Sequence, residues 1–274
     1  MADWGLSNRL ARMMSPRSGN TVMLAVDHGY FMGPTRRLEN AGATIAPLLP
    51  HADALALTRG ILRSSVPPGS TVPIVLRVSG GATILKDDLS DEAITVSMRD
   101  AVRLNASAVA MSIFVGAPHE HDSLVNLSKL VNDGEEVGVP VMAITAVGKE
   151  LEKRDQRYLA LACRVAVEHG AHLVKTYYCD GFEKVVEACP VPIVVAGGPK
   201  LDSDRAVLEL AYSAIEQGAH GIDMGRNVWQ SDHPVAMLKA LRAVVHDHAT
   251  ASQALELLNG EKSRSPSIAP TAPA

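Results

Sequence analysis

The feature that most constrains the fold of this 274-residue chain is a pattern that repeats along its length. Short apolar runs end in polar residues or glycine, and a stretch with helical periodicity usually follows. Continuous apolar runs of this kind are typical of strands that are covered on both faces, as in parallel sheets. Eight such runs are found, at residues 21–27, 53–57, 72–76, 107–114, 139–145, 172–178, 191–196 and 221–224.

This alternation predicts an α/β fold, and the count of eight favours a (β/α)8 TIM barrel in a single domain over a doubly wound open sheet. We expect the barrel to occupy residues 21–258. Residues 1–20 are predicted to form a helix and a loop. Residues 259–274 are rich in Pro and Ser and poor in apolar bulk, so they are predicted to be a disordered tail.

One helix is predicted with a defined start. The segment from Ser90 to Leu104 has Ser90 as a possible N-cap, and Asp91 and Glu92 follow where the helix dipole favours negative charge.

Composition excludes several classes of partner. The formal net charge of −4 gives no basic surface for nucleic acid or an acidic membrane, so neither is expected. No apolar run approaches the roughly 18 residues that a membrane span requires. Cys163, Cys179 and Cys189 have no paired spacing, and no secretory leader is recognisable. These features predict reduced thiols and a cytoplasmic location.

Lys175 is the most unusual residue of the apolar runs. It lies between Val174 and Thr176, where burial would disfavour the ammonium and lower the pKa of the amine. A neutral amine attacks ketones and forms a Schiff base, whose iminium accepts electrons from a breaking C–C bond. The alternative is a structural lysine that reaches solvent or pairs with a carboxylate.

Other polar residues follow the apolar runs, and a barrel brings the carboxyl ends of its strands to one mouth. Asp27 and His28 follow the first run, and a histidine there is a candidate general acid–base for cleavage of a hydroxyketone. A hydrogen-bonded structural histidine is the alternative. Convergence with Lys175 at the mouth favours the catalytic interpretation.

A phosphate site is predicted after the seventh and eighth runs, where glycines leave backbone N–H groups open to an anion. The alternative is that these glycines only permit tight turns. Arg59 and Arg77 would either add positive charge to this site or form structural ion pairs. The predicted phosphate-site residues are Gly197, Gly198, Gly225 and Arg226.

No metal site is predicted. His119, Glu120, His121 and Asp122 have suitable ligand atoms, but adjacent positions in a loop do not place them on one face.

Several segments together resemble the archaeal-type class I aldolase family, and within it the thiolase branch. The similarity extends from about residue 3 to residue 258. Each segment is weak alone, but their order and coverage make the resemblance strong. The segments are residues 23–31, 58–63, 174–178 (VKTYY), 189–194, 196–198, 223–227 (DMGRN) and 230–237.

The resemblance implies a Schiff base at Lys175, a catalytic His28 with Asp27 beside it, and phosphate contacts after the last two strands. It implies transfer of an acetyl group from a phosphorylated dione to coenzyme A, which gives acetyl-CoA and dihydroxyacetone phosphate, with no bound cofactor. It also implies a homo-oligomer built from rings, in the form of a decamer.

One departure separates the branches of this family. Its sugar-phosphate aldolases use a tyrosine acid–base after the fifth strand, where this chain has Thr145, Ala146, Val147 and Gly148. This difference disfavours fructose-bisphosphate aldolase activity. Other Schiff-base aldolases of phosphorylated compounds, a non-catalytic barrel that binds sugar phosphates and a metal-dependent aldolase remain the alternatives.

Overall fold

The computed structural model describes residues 3–147 and 154–263, and its centre is a closed barrel of eight parallel strands. The order around the barrel follows the chain, and the last barrel strand pairs with the first. The predicted (β/α)8 TIM barrel is therefore confirmed. The barrel strands are β1 (Thr21–Ala25), β2 (Ala54–Thr58), β3 (Ile74–Arg77), β6 (Ala108–Ile113), β7 (Val141–Thr145), β8 (Leu173–Tyr177), β9 (Ile193–Ala196) and β10 (Gly221–Met224).

Helices surround the barrel and pack their apolar faces on the outward side chains of the strands. Many begin at a side chain that accepts a hydrogen bond from the first turn, as Ser203 does from the Ala206 N–H. The helices are α1 (Trp4–Met13), α2 (Gly29–Met32), α3 (Ala41–Ile45), α4 (Arg59–Ser65), α5 (Met98–Arg103), α6 (Glu120–Val137), α7 (Gln156–Glu168), α8 (Phe182–Glu187), α9 (Asp204–Glu216), α10 (Arg226–Trp229), α11 (Pro234–Asp247) and α12 (Ala251–Lys262), with a short 3₁₀ turn at Leu49–His51. None of the helices within the described residues is long and apolar enough to cross a membrane.

The helix predicted from Ser90 to Leu104 is wrong over its first half. Two short strands, β4 (Ser79–Gly80) and β5 (Ala93–Ile94), pair there in antiparallel fashion. The Ser90 hydroxyl donates to Asp88 instead of capping a helix. Helix α5 begins only after Ser97, whose side chain accepts from the Asp100 N–H.

Helix α12 continues to Lys262, beyond residue 258, where the barrel segment is predicted to end. The Lys262 ammonium lies 2.8 Å from Asp204 Oδ2, and Lys239 pairs with Glu261 at 2.5 Å, so both ion pairs hold the last turn. The remainder of the predicted tail, residues 264–274, lies outside the described residues.

The lower interior of the barrel is a separate apolar cluster, filled by inward side chains of the strands. Alternation along each strand places these residues inside and their neighbours outside. Helix α1 closes this end: Met13 is fully buried in the cluster, and the Arg9 guanidinium donates to the Gly138 carbonyl at 2.9 Å. Helix α1 is thus an integral part of the barrel.

We expect Met13→Ala to lower the free energy of unfolding by about 2–5 kcal/mol, because it leaves a cavity in the closed end of the barrel. Trp4→Ala on the same helix is the matched control, since Trp4 is 77% exposed. Its expected effect is within about 0.5 kcal/mol. Urea unfolding measures both, and equal effects would contradict a structural role for the end of α1.

Candidate active site

The site begins with Lys175, whose side chain points into the barrel at its upper, carboxyl end. Leu173, two residues earlier on β8, lies in the inner cluster, so alternation places Lys175 inside as well. Its ammonium lies 2.7 Å from Oδ2 of Asp223 on β10, and the two side chains are 12% and 0% exposed. Side chains from alternate strands share a layer of a barrel, which is why these two meet.

The expected fall in the pKa of Lys175 is wrong. Burial by itself does disfavour the ammonium, but Asp223 and Asp27 together outweigh burial and raise the pKa of Lys175. The resting residue is therefore an ammonium in a buried ion pair, and the amine becomes nucleophilic only when a proton is removed. The alternative of a lysine paired with a carboxylate correctly describes this resting state.

Asp27 and His28 lie beside this pair, at the end of β1. His28 Nδ1 is 3.8 Å from Asp27 Oδ1 and has no hydrogen-bond partner among the described residues. Burial, reinforced by Lys175 and Arg226, lowers the pKa of His28 to about 4 despite the opposing charge of Asp27. The imidazole is therefore neutral near pH 7 and able to accept a proton.

The position of the His28 ring depends on Gly225, which follows β10. A Cβ at Gly225 would lie 2.5 Å from His28 Cε1 and 2.5 Å from the Ala25 carbonyl oxygen. The ring also makes an edge contact with Trp229 at 5.5 Å, and Trp229 Nε1 donates to the same Ala25 carbonyl at 2.9 Å. The end of β10 and α10 therefore fix the histidine by packing.

Arg77 is buried in the same layer and is committed to a network of hydrogen bonds. Its Nη2 donates to Glu92 Oε2 at 2.9 Å and to Ser112 Oγ at 2.7 Å, and its Nη1 lies 3.6 Å from Asp27. Tyr30 donates to Glu92 at 2.7 Å, and burial raises the pKa of this phenol. Arg77 thus lines the cavity as a member of an ion-pair network.

Arg59 is not brought to this cavity. It lies at the start of α4, half exposed, and pairs with Asp100 at 3.2 Å.

The predicted phosphate-site residues do come together at the rim. Gly198 has a φ of +66°, a conformation that favours glycine, and a Cβ at Gly197 would lie 3.0 Å from the Asn227 side chain. Asn227 is 1% exposed and holds this loop: it donates to the Gly197 carbonyl at 2.8 Å and accepts from the Leu201 N–H at 2.8 Å. The loop is therefore fixed at the cavity edge.

Two guanidinium groups face this loop. Arg226 Nε and Arg154 Nε are buried and have no hydrogen-bond partner among the described residues. Arg154 stacks on the Tyr177 ring at 3.7 Å and would lie 3.4 Å from a Cβ at Gly198. Burial lowers the pKa of Arg226, with a further contribution from the positive charge of Arg154. Within the part of the chain that the structure describes, neither cation has a carboxylate at hydrogen-bond distance, so together they form a rim suited to an anion.

The sequence motifs assign no role to four residues of the site, because those roles depend on contacts between distant segments. Asp223 and Glu92 line the cavity, while Asn227 and Arg154 contact the rim loop. Asp223 alone had a local signal, since it is a carboxylate within the apolar run Gly221–Met224. The residues that line the cavity include Asp27, His28, Tyr30, Arg77, Glu92, Ser112, Thr145, Ala146, Lys175, Tyr177, Gly197, Gly198, Asp223, Gly225 and Arg226.

The His119 segment lies away from this cavity, at the start of α6. His119 is 3.4 Å from Asp122 and 3.9 Å from Asp88. Within residues 3–147 and 154–263, no three His, Cys, Asp or Glu side chains are grouped as metal ligands. Cys163 is enclosed between α7 and the barrel, and burial raises its pKa to about 12, so it is not a thiolate nucleophile.

A family model described as "DeoC/LacD family aldolase" matches residues 21–231. Curated relatives carry the name 3-hydroxy-5-phosphonooxypentane-2,4-dione thiolase. The protein of Escherichia coli O139:H28 is 57% identical over 261 residues, which is 95% of this chain and 89% of the relative. The protein of Photorhabdus laumondii is 56% identical with the same coverage.

Solved structures with the same fold include an archaeal fructose 1,6-bisphosphate aldolase, with a TM-score of 0.79 and 30% identity over 88% of this chain and 99% of that one. Another archaeal fructose-1,6-bisphosphate aldolase, with a TM-score of 0.80 and 28% identity at the same coverage, was solved with its catalytic lysine covalently bound to the carbinolamine intermediate of the substrate.

We expect Glu92→Gln to lower the free energy of unfolding by about 3 kcal/mol or more, because the buried Arg77 would lose the nearer of its two carboxylate partners. Asp91→Asn is the matched control, since the neighbouring Asp91 pairs with Lys86 on the surface, where both side chains are more than half exposed. Its effect should stay within about 1 kcal/mol. Chemical denaturation of both variants measures the difference, and similar values would show that the Arg77 network is not structurally important.

Proposed function

Since the chain belongs to the DeoC/LacD family of aldolases, we propose that its barrel mouth performs Schiff-base chemistry as a thiolase. The substrate is 3-hydroxy-5-phosphonooxypentane-2,4-dione, the compound in the name of relatives 55–57% identical to this chain. The acetyl group passes to coenzyme A, and dihydroxyacetone phosphate is released. The observation that carries this proposal is Lys175, a buried amine inside the mouth with His28 and an anion-binding rim beside it.

Lys175 supplies the electron sink. Its amine condenses with the C4 ketone, which lies next to the phosphorylated C5, and water is lost. The resulting iminium accepts the electron pair of the C2–C3 bond when that bond breaks, and an enamine forms. Protonation at C3 and hydrolysis of the imine then release dihydroxyacetone phosphate and the free lysine.

His28 moves the protons. A thiol must lose its proton as it attacks the C2 carbonyl, and a neutral imidazole is a suitable acceptor. The same group can return a proton to C3 of the enamine. Burial lowers the pKa of His28 to about 4, which keeps it neutral, and its Nδ1 lacks a partner among the described residues. Asp27 would stabilise the imidazolium that forms.

The phosphate is bound at the rim by the loops after β9 and β10. Gly197, Gly198 and Gly225 leave the backbone open to an anion, and Arg226 supplies a positive charge. Arg154 joins this set, because it faces Gly198 and its Nε has no hydrogen-bond partner among the described residues. A phosphate bound there would hold the neighbouring C4 ketone beside Lys175.

Coenzyme A as acyl acceptor is supported by the word thiolase in the names of the relatives. The lining of the cavity also favours the thiolase over an ordinary sugar-phosphate aldolase. Thr145 and Ala146 line the cavity where the aldolases of this family use a tyrosine, and Thr145 Oγ1 donates to Thr176 Oγ1 at 2.7 Å. The ring-based homo-oligomer, a decamer, stays a proposal that rests on family resemblance.

A requirement for the thiol tests the function. Incubation of the enzyme with the phosphorylated dione and coenzyme A should give acetyl-CoA and dihydroxyacetone phosphate in equal amounts, as measured by mass spectrometry. Without coenzyme A, dihydroxyacetone phosphate should not accumulate. Its release at an undiminished rate without the thiol would identify a lyase and contradict the transferase.

The Schiff base has its own test. Borohydride added with the phosphorylated dione should reduce the imine and tag the peptide that contains Lys175, with loss of activity. Lys200, which lies on the rim loop, should remain unlabelled and serves as the internal control. Lys175→Met should abolish both the tag and turnover. A tag on another lysine, or no tag in the active wild type, would refute the mechanism.

A further inference from the structure

Asp223 differs from Asp53, a partly buried aspartate that also takes part in ion pairs within the fold. Asp53 accepts hydrogen bonds from the Val22 N–H at 2.7 Å, from Arg242 at 2.7 Å and from His246 at 2.8 Å, so its oxygens are satisfied by fixed structural donors. Asp223 is fully enclosed, and apart from the Lys175 ammonium neither oxygen has a partner among the described residues.

A carboxylate buried in this way contributes little to folding stability. Burial without fixed donors costs free energy, and the pair with Lys175 only offsets that cost. Asp223 also points into the barrel from β10, whereas the adjacent residues of that strand, Ile222 and Met224, pack outward in the apolar core. A polar residue placed at such cost in the active-site layer is more consistent with a role in the chemistry than with a role in folding.

We propose that Asp223 is the counter-ion of the Lys175 nitrogen throughout the reaction: it takes the proton that makes the amine nucleophilic, and it neutralises the protonated imine that follows. This inference rests on the imine chemistry proposed above. It assigns Asp223 as a positioning residue that acts through Lys175.

The proton balance of imine formation fits this role. The ammonium first transfers a proton to Asp223, and the neutral amine forms a C–N bond with the ketone carbon to give a carbinolamine. The C–O bond then breaks, and the oxygen leaves as water with the proton that Asp223 had held. The net change is ammonium plus ketone to protonated imine plus water. The nitrogen therefore carries one positive charge before and after, opposite the same carboxylate.

Asp27 is less suited to this role, although it also faces the lysine. Its oxygens lie 3.6 Å from Arg77 and 3.8 Å from His28, so its charge is shared among three groups. Asp223 has only Lys175 at ion-pair distance among the described residues. The charged or titratable groups that interact with the Lys175 ammonium include Asp223 on β10, Asp27 and His28 after β1, and Tyr177 on β8.

The test measures the titration of Lys175 in the free enzyme. The enzyme is trace-labelled with acetic anhydride over a range of pH, and mass spectrometry of the Lys175 peptide gives the pH midpoint of the lysine titration. In Asp223→Asn this midpoint should fall by about one pH unit or more, because burial persists while the opposite charge is lost. Asp223→Glu retains the charge and should keep the midpoint near that of the wild type.

The same variants are then treated with the phosphorylated dione and borohydride. The amount of reduced imine at Lys175 should fall about tenfold or more in Asp223→Asn, since the iminium loses its counter-ion. If the Asn variant does not fold, Asp223→Ser makes the same predictions with a smaller neutral side chain.

Asp53→Asn is the matched control for a structural effect. It removes an ion-paired carboxylate, 16% exposed, that precedes β2 at the opposite end of the barrel, so it should lower thermal stability without moving the Lys175 midpoint. An unchanged midpoint in Asp223→Asn, or an equal shift in Asp53→Asn, would overturn the assignment. Absence of a borohydride tag in the wild type would instead refute the Schiff base itself, so the two failures are distinguishable.

Discussion

Charge neutralisation inside the upper barrel is the constraint on which the rest of the site depends. Two cations, Lys175 and Arg77, and three carboxylates, Asp27, Glu92 and Asp223, lie where little water reaches them. A buried charge is tolerated only when an opposite charge or hydrogen-bond donors lie close to it. The positions of these five side chains therefore depend on one another. The raised pKa of Lys175 and the lowered pKa of Asp27 are both consequences of this arrangement.

The same constraint reaches into the fold. Glu92 would lie in the first turn of a surface helix if local preference alone decided its position. Instead it is drawn into the barrel, where it accepts from Arg77, Tyr30 and Ser79. The strand pair β4–β5 delivers it there, and helix formation is delayed to Ser97. The burial of Glu92 beside Arg77 thus explains both why the helix predicted from Ser90 begins later and why the ion-pair network is not predicted from the sequence.

Features that depend on consecutive residues can be predicted from the sequence. The apolar runs predict all eight barrel strands, and the predicted bounds of Gly221–Met224 are those observed, because a buried strand is a continuous run of apolar residues. Barrel closure then correctly predicted that Lys175, His28 and the rim glycines converge. The pKa of Lys175 could not be predicted in this way, since its partner lies on another strand 48 residues later in the chain. Arg59 followed the same strand-end pattern but pairs with a surface carboxylate, which only the tertiary structure reveals.

The separation of charge along the barrel axis has a consequence for how a ligand approaches. The deep layer has one more carboxylate than cation, whereas the rim holds the guanidinium groups of Arg154 and Arg226, whose Nε atoms have no partner among the residues described. Such a gradient in potential acts on a polar molecule before any contact forms. A ligand with an anionic end and an electrophilic carbonyl end would be turned during entry, with its anion held at the rim and its carbonyl directed inward. The barrel therefore selects the direction of entry as well as the chemical groups that it binds.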